Sequence, residues 1–460
     1  MGDRPNIIVI HVDALRSDYA GYLARALGKD WRIYEETYTP LYGTDPVLTT
    51  VFTGLYPPMH GIIRHGPWVT KTELMVFRLR SRGLWLPEVL HRLGYRTLAF
   101  DILGGWRRRG FNEYIDLATL LGILGKARFI ALYALLCVSR RLAHMASRNP
   151  PTIYPDAASL LSKVYNKLLE TRKPFMAFIH LWDTHTPYLA SQCSPSKKPH
   201  GTPLSKLLSR IEDHEWRRYI ATLVAWRATS IEDIVERYRA AACSVGAAIE
   251  EFLNQLKDSG LYENTIIVIY SDHGESFGEH GAYFDHHTLH EEVVKSFLAF
   301  KPLAGQKLYG ERAGLVDVAP TLLGLLASAG AMSSEEYRRL ARRMNGVDLS
   351  TESARQAATA ERPLFFGMVA DKPGLDILFG VVKGSMKYVE SFMKNRQARC
   401  PRCGAVHHSN RELYNIVKDP KEEHNLAKEM PEEAATLRQL LIKHLEASRH
   451  PEIRRLLGEA

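Results

Sequence analysis

The sequence contains little of what marks disulfide-rich, disordered or fibrous proteins. Its 460 residues include only five cysteines, and so small and odd a number does not build a disulfide framework. Asn and Gln together number 17, and this shortage of thermolabile amides favours a heat-adapted source. Hydrophobic residues make up 45% and charged residues 24%, as in a globular chain, which excludes a collagen-like or disordered protein. We therefore expect a folded protein without disulfide bonds.

A secretory leader is also missing from the start of the printed sequence. Residues 1–5 lead directly into the β-branched run at 6–12, which is typical of a strand and not of a signal peptide. We expect a cytoplasmic protein, with a peripheral position on the inner face of the membrane as the alternative.

The least polar stretch, residues 117–138, is a poor membrane span. Lys126 and Arg128 lie at its middle, where each charge costs about 2.5–3.5 kcal/mol on insertion scales. We prefer a buried or lid-like helical hairpin for this stretch. An interfacial segment is the alternative, because a basic flank for an anionic membrane follows at Arg140, Arg141 and Arg148.

The excess of positive charge indicates an anionic partner. Lys and Arg number 60 against 51 Asp and Glu, which gives a formal net charge of +9. The basic residues are scattered and are not interleaved with aromatic residues, so we do not expect nucleic-acid binding. We expect an anionic small-molecule or lipid ester as substrate, with peripheral membrane contact as an option; the sequence leaves the oligomeric state open.

Strands alternate with helices along most of the chain. Continuous apolar runs, typical of strands buried on both faces, lie at 6–12, 175–181 and 265–270. This alternation predicts an α/β fold, a large mixed, mostly parallel sheet sandwiched by helices. After Gly346, short strand-like runs and a terminal helix predict a small α+β domain with an antiparallel sheet. We expect a catalytic domain at 1–345, with insertions at about 104–155 and 189–235, and a second domain at 346–460.

Two of the predicted strands end in groups that suit metal binding. Asp13 directly follows the first strand, and Asp272-His273 follows the strand at 265–270. A carboxylate and an imidazole that project from one turn form a metal-ligand arrangement. A helix N-cap is the alternative role for Asp13.

Two further segments carry reactive groups. Thr44 precedes an apolar helix whose positive N-terminus stabilises negative charge on a nucleophile, although a plain N-cap would use the same residue. Asp183 and His185 follow the buried strand at 175–181, where ionisable groups are costly unless they serve a site. His180, within that strand, is open to the interpretation of a satisfied core histidine.

The order and spacing of these segments resemble the sulfatase family within the alkaline-phosphatase superfamily. The resemblance covers most of the chain and is carried by VDALR, LTTVFTGLYPPMHGI, HLWDTHTPY, SDHGESFGEHG and ELYNIVKDPKEEHNLA. It implies metal ligation by Asp13, Thr44, Asp272 and His273. It implies catalytic roles for Thr44, His185, His286 and Arg16.

The departures from the family pattern change the expected chemistry. Sulfatases carry an oxidised Cys or Ser at the nucleophile position, where this chain has Thr44, and their neighbouring Arg is replaced here by Leu48. The second Asp that normally follows the first metal ligand is Ala14. A Thr nucleophile is similar to phosphodiesterase, phosphoethanolamine-transferase and lipoteichoic-acid-synthase branches of the superfamily. We therefore expect a phosphoester hydrolase; a sulfatase without formylglycine, a phosphoryl transferase on a lipid or glycan, and a non-catalytic membrane-associated binding protein are alternatives.

The expected cofactor is one divalent metal ion, Mn, Zn, Ca or Mg, with a second ion as an option. A second site would use Asp183, His185 and His280. Separately, the CxxC pair with two following histidines suggests a structural zinc held by Cys400, Cys403, His407 and His408. The alternative there is a reduced pair of thiols in a turn.

Overall fold

The computed structural model describes residues 4–116, 122–147, 149–152, 154–196, 201–369, 377–392, 400 and 406–458. The strands are β1 (Asn6–Val12), β2 (Arg32–Tyr38), β3 (Arg96–Asp101), β4 (Glu113–Asp116), β5 (Phe175–Leu181), β6 (Thr265–Ser271), β7 (Ser276–Phe277), β8 (Tyr283–Asp285), β9 (Lys295–Lys301), β10 (Arg312–Gly314), β11 (Leu364–Val369), β12 (Ile377–Lys383), β13 (Met386–Ser391) and β14 (Arg411–Asn415).

The α-helices are α1 (Gly21–Ala24), α2 (Thr44–Thr53), α3 (Pro57–His60), α4 (Lys71–Arg80), α5 (Leu86–Arg92), α6 (Gly122–Val138), α7 (Arg140–Ala146), α8 (Ala157–Leu169), α9 (Leu204–Leu208), α10 (His214–Tyr219), α11 (Ile231–Asp258), α12 (Glu291–Val294), α13 (Val318–Ser328), α14 (Ser334–Ala341), α15 (Ala354–Ala357), α16 (Pro431–Glu446) and α17 (Pro451–Gly458).

The main sheet has eight strands in the order β10-β2-β9-β6-β1-β5-β3-β4. The five strands from β6 to β4 run parallel, whereas β9 is antiparallel to both of its neighbours. This confirms the predicted α/β class and the large mixed, mostly parallel sheet. Because β1, β5 and β6 are adjacent, the segments that follow them meet at one edge of the sheet.

Helices cover both faces of this sheet, which explains the continuous apolar runs in its central strands. In β1, Ile7 and Val9 join a core built with α2, α5 and α13, while Ile8 and Ile10 join a second core built with α8 and α11. Every residue of β1, β5 and β6 is buried, as expected for strands packed on both faces.

A second sheet of four antiparallel strands, β11-β12-β13-β14, follows, and α16 packs against it through Leu437, Leu441 and Leu445. The small antiparallel sheet with its terminal helix was predicted from the sequence. The boundary at Gly346 stays a prediction. A Cβ atom at Gly346 would come within 2.0 Å of the Val316 carbonyl oxygen, so this point is tightly packed and is not a free linker.

The expectation of a chain without disulfide bonds is wrong, because Cys193 is bonded to Cys243. The bond joins the segment after β5 to helix α11, two elements that sequence spacing alone does not bring together. The stretch 117–138 was expected to form a buried or lid-like hairpin by itself, but residues 122–138 form the single helix α6, and the hairpin is completed by α7 beyond the stretch; residues 117–121 lie outside the described residues. No helix in the described ranges has both the length and the apolar character needed to cross a membrane.

Candidate active site

Three possible metal ligands converge where β1 and β6 end. Asp13 follows β1, and Asp272 and His273 follow β6. The Nε2 atom of His273 lies 3.4 Å from an Asp272 carboxylate oxygen and 3.9 Å from an Asp13 oxygen. All three side chains are buried. Two carboxylates packed this closely in the interior repel each other unless a cation lies between them.

The free atoms of these side chains fit a divalent ion. One oxygen of Asp13, one of Asp272 and the Nε2 of His273 are buried and lack a hydrogen-bond partner among the described residues. The Nδ1–H of His273 donates to the Gly274 carbonyl oxygen at 2.8 Å, which fixes the proton on Nδ1 and leaves the Nε2 lone pair for a metal. Two carboxylates and an imidazole suit Mn, Mg, Ca or Zn.

A layer of buried groups orients these ligands. His180 bridges Asp101 at 2.7 Å and Asp13 at 2.9 Å. Burial alone would lower the pKa of His180, but its hydrogen bonds to both carboxylates raise that pKa to about 9. His11 stacks on His180 and reaches Asp272 at 3.2 Å. His180 therefore holds a candidate ligand in place, beyond the core role that the sequence left open.

Ala14 occupies the position where the family pattern has a second Asp. Its φ of 55° lies in the left-handed region, which is unusual for a residue with a side chain. In this conformation the Ala14 N–H donates to the Asp272 carboxylate at 3.0 Å. The backbone thus orients the candidate ligand Asp272 at a point where the family's second carboxylate is missing.

Thr44 is the first residue of α2 and is 4% exposed. The next residue, Asp45, is fully buried. Its carboxylate accepts two hydrogen bonds from the Arg107 guanidinium, one from the Gly66 N–H at 2.7 Å, and lies 3.1 Å from His65 Nδ1. The start of α2 is therefore anchored by a buried ion-pair network.

This network brings positive charge to the start of α2. Burial would raise the pKa of Asp45, but His65 and Arg107 hold it well below its ordinary value. Burial opposes protonation of His65, yet the Asp45 carboxylate raises the His65 pKa above its ordinary value. Sequence reasoning missed both of these partners of Asp45. Arg107 was visible only as one of several scattered basic residues, and nothing in the sequence linked it to the segment in which Leu48 replaces the family's Arg.

His185 and His286 lie beside the ligand group. The Nδ1–H of His185 donates to the Thr186 carbonyl oxygen at 2.9 Å, so Nε2 carries the lone pair. The ring of His286 is 4.1 Å from that of His273 and 6.1 Å from that of His185. Burial and the neighbouring His273 lower the pKa of His286 well below its ordinary value. His286 is therefore neutral at pH 7.

Arg16 is engaged with protein carboxylates. Four of its five N–H groups donate, two to Asp18, one to Glu279 at 2.8 Å and one to the Glu275 carbonyl oxygen at 3.0 Å. Because most of its N–H groups are already bonded to protein acceptors, Arg16 is poorly placed to bind a substrate, and its catalytic role stays a prediction. It ties the loop after β6 to the loop after β1.

The three residues expected for a second metal are not brought together among the described residues. One oxygen of Asp183 accepts a hydrogen bond from the Ala157 N–H at 3.0 Å, at the start of α8, and burial raises the pKa of Asp183 to about 8. His280 lies elsewhere, with its ring 3.5 Å from that of His290 and close to Glu422.

The expected zinc ligands are described only in part. Cys400 is buried, and Cys403 lies outside the described residues. His407 Nδ1 is 3.0 Å from the His280 carbonyl oxygen. His408 accepts a hydrogen bond from the Leu289 N–H on Nε2 and contacts Glu412 at 2.7 Å through Nδ1. Because both nitrogens of His408 are engaged, it offers no lone pair to a metal.

A sheet flanked by helices, with two carboxylates and an imidazole at its carboxyl edge, defines an α/β protein with a ligand set of the kind that holds divalent metals. The Sulfatase family model matches residues 5–328. The chain therefore belongs to the sulfatase family. That family normally binds a divalent metal, and the ligand group at Asp13, Asp272 and His273 is the candidate site for it.

Relatives of the chain carry different names. A sulfatase of Formosa agariphila is 23% identical over 386 residues, which cover 74% of this chain and 73% of that protein. Lipoteichoic acid synthase 2 of Bacillus subtilis is 31% identical over 137 residues. That match covers 26% of this chain and only 21% of the synthase.

Solved structures share the fold at low identity. A 2-O GAG sulfatase has a TM-score of 0.66 at 16% identity, with 96% of this chain and 92% of that chain covered. The phosphonate monoester hydrolase of Agrobacterium radiobacter has a TM-score of 0.62 at 16% identity, with 96% and 95% covered. At this identity the likeness concerns the fold alone.

Proposed function

We propose that the chain is a divalent-metal-dependent phosphoester hydrolase in which Thr44 is the nucleophile. The observation that supports the proposal most is the group of Asp13, Asp272 and His273, whose buried atoms have free lone pairs, in a sulfatase-family fold. Thr44, at the family's nucleophile position, is buried at the start of α2. A threonine hydroxyl cannot become the formylglycine that sulfatases use. It can attack a phosphorus atom directly.

Asp13, Asp272 and His273 would hold the ion, with the Thr44 hydroxyl as a further ligand. A divalent ion bound there would lower the pKa of the Thr44 hydroxyl and shield the charge of the phosphoryl oxygens. His180 and the Ala14 N–H keep the carboxylates in position throughout the reaction.

The chain's own groups account for the transfer. The Thr44 hydroxyl releases its proton to solvent, and its oxygen forms a bond to phosphorus as the bond from phosphorus to the leaving oxygen breaks in line with it. The N-terminus of α2 stabilises the negative charge that builds on the phosphoryl group. The Arg107–Asp45 pair fixes the direction of the first turn of α2. Water then attacks phosphorus and releases the Thr44 hydroxyl.

His185 is the better of the two candidates for protonating the leaving oxygen. Its Nδ1–H is committed to the Thr186 carbonyl and its Nε2 carries a lone pair, so Nε2 takes up a proton from solvent and passes it to the leaving oxygen. His286 is neutral and packed against His273, which suits substrate contact and ligand support more than proton donation.

Two alternatives have support among the relatives. The Formosa agariphila relative is named a sulfatase and covers most of the chain, which favours sulfate esters as substrates. The lipoteichoic acid synthase match favours transfer of a phosphoryl group to an acceptor alcohol. The same Thr44 attack would begin either reaction, and only the substrate atom or the final acceptor differs.

The test compares aryl phosphodiesters, aryl phosphomonoesters and aryl sulfates with metal-loaded protein. We expect phosphoester turnover that falls about 10³-fold or more in Thr44→Ala and persists in Thr44→Ser. Thr53→Ser, at the far end of the same helix, is the matched control and should retain wild-type turnover. Sulfate turnover that depends on Thr44, without phosphoester turnover, would refute the proposal.

A further inference from the structure

The hairpin formed by α6 and α7 carries an unusual concentration of exposed apolar side chains. Twelve large apolar side chains of the described residues are exposed, and five of them lie within sixteen positions of this hairpin. They are Ile130 (65% exposed), Tyr133 (50%), Val138 (82%), Leu142 (49%) and Met145 (76%). Such a concentration of exposed apolar side chains on two neighbouring helices points to an interaction surface.

The hairpin uses a different set of side chains to attach to the rest of the molecule. Leu132 and Ala143 form a small cluster with Trp226, and Leu135 and Leu136 pack against it. This cluster is separate from the two cores of the main sheet. The exposed apolar side chains therefore do not serve the fold of the hairpin, and another partner is needed to bury them.

The charge of the hairpin identifies the kind of partner. No acidic residue occurs between Asp116 and Asp156 in the sequence. The same interval contains five basic residues, Lys126, Arg128, Arg140, Arg141 and Arg148. Of these, Lys126, Arg128 and Arg141 are exposed. An apolar surface on helices whose own charged side chains are all basic complements an anionic lipid bilayer. A second copy of the hairpin would bring like charges together.

A cavity joins the hairpin to the body of the protein. It measures about 280 Å³ and is lined by Arg128 and Leu132 of α6 together with Tyr154 and Lys163 of the catalytic unit. The Tyr154 ring is 5.6 Å from the Trp182 ring. Trp182 in turn is 5.1 Å from His185. Two aromatic rings therefore separate the base of the hairpin from the candidate active site.

We infer that the exposed face of α6 and α7 docks the enzyme on an anionic lipid surface, with the helices in the interface plane. An enzyme docked in this way would act on phosphoesters at a bilayer surface. This substrate class rests on the proposed function. Apolar side chains enter the headgroup region, while Lys126, Arg128 and Arg141 meet the anionic headgroups.

The test is co-sedimentation of the full chain with vesicles, without substrate, so that it does not depend on the proposed chemistry. One vesicle type is phosphatidylcholine alone, and in the other about one third of the lipid is phosphatidylglycerol. We expect binding to the anionic vesicles that is at least about tenfold stronger than to the neutral ones and that weakens as salt increases.

The matched variants separate the hairpin from general surface effects. The triple variant Ile130→Ser, Val138→Ser, Met145→Ser should bind anionic vesicles at least about tenfold more weakly than the wild type. The double variant Val417→Ser, Met430→Ser, which removes exposed apolar side chains elsewhere, should bind as the wild type does. Thermal unfolding of each variant verifies its fold. The inference is overturned if wild-type protein does not bind, if the triple variant binds equally well, or if the protein is a dimer that the triple variant dissociates without lipid.

Discussion

Arg107 offers a quantitative test of how the start of α2 is held. The perturbation is Arg107→Met, which keeps most of the apolar stem of the side chain and removes its guanidinium group and charge. In the wild type the guanidinium donates to both oxygens of Asp45, whose side chain is 0% exposed. After the change one carboxylate oxygen has lost its partner, while the other keeps the Gly66 N–H and His65.

The expected cost follows from this geometry. Removal of one partner from a buried ion pair destabilises proteins by about 3–5 kcal/mol, because the remaining charge stays buried. His65 stays beside Asp45, so we expect the lower end, about 3 kcal/mol. Adding Asp45→Asn to Arg107→Met should recover part of this loss, because the uncompensated charge is then absent. Loss of the ion pair should also reorient the Thr44 hydroxyl and thereby lower kcat/KM by about 10- to 100-fold.

Urea unfolding followed by tryptophan fluorescence measures the free energy, since the Trp106 ring packs 5.0 Å from the Arg107 guanidinium. The matched control is Arg108→Met, which removes an exposed charge from the same short 3-10 helix and should cost no more than about 0.5 kcal/mol. Equal losses for the two variants, or no recovery in the double variant, would refute the ion-pair account.

Two further predictions concern the carboxylates. Addition of Mn²⁺ at about 100 times its Kd should stabilise the wild type and Asp258→Asn by about 2.7 kcal/mol but leave Asp13→Asn unchanged in thermal shift; equal shifts in all three would exclude Asp13 as a ligand. Asp183 has a folded-state pKa of about 8, above its unfolded value of about 3.9, so its contribution to stability is present below pH 4 and is lost as pH rises through 8. Asp183→Asn should therefore remove a fall in the free energy of unfolding between pH 5 and pH 8 and should retain the metal; an unchanged pH slope or a lost metal would contradict this.

Local sequence pattern was sufficient to predict the central strands and the position of the candidate site, because the polar groups directly follow the buried runs in the sequence. The continuous apolar character of β1, β5 and β6 predicted strands packed on both faces, and the polar groups directly after them predicted a site at the sheet edge. Strand β2 was not predicted, because its burial does not alternate from residue to residue and Arg32, Glu35 and Glu36 interrupt its apolar side chains.

Contacts between distant segments could not be predicted in the same way. Arg107 and Asp45 are 62 residues apart, and neither side chain carries a motif that refers to the other. Cys193 and Cys243 are 50 residues apart, and this spacing does not predict that the segment after β5 contacts helix α11. Arg16 was assigned to catalysis by its motif, yet nearby acidic side chains consume its hydrogen bonds.

Nucleophilic attack by Thr44 is tested most directly by acid quench of metal-loaded protein during turnover of an aryl phosphodiester, followed by mass spectrometry of the peptide that contains Thr44. We expect a phosphoryl adduct on Thr44 that forms within one turnover and is absent from Thr44→Ala. Turnover of the phosphodiester by a wild-type enzyme whose Thr44 peptide never carries an adduct, together with full activity in Thr44→Ala, would contradict it.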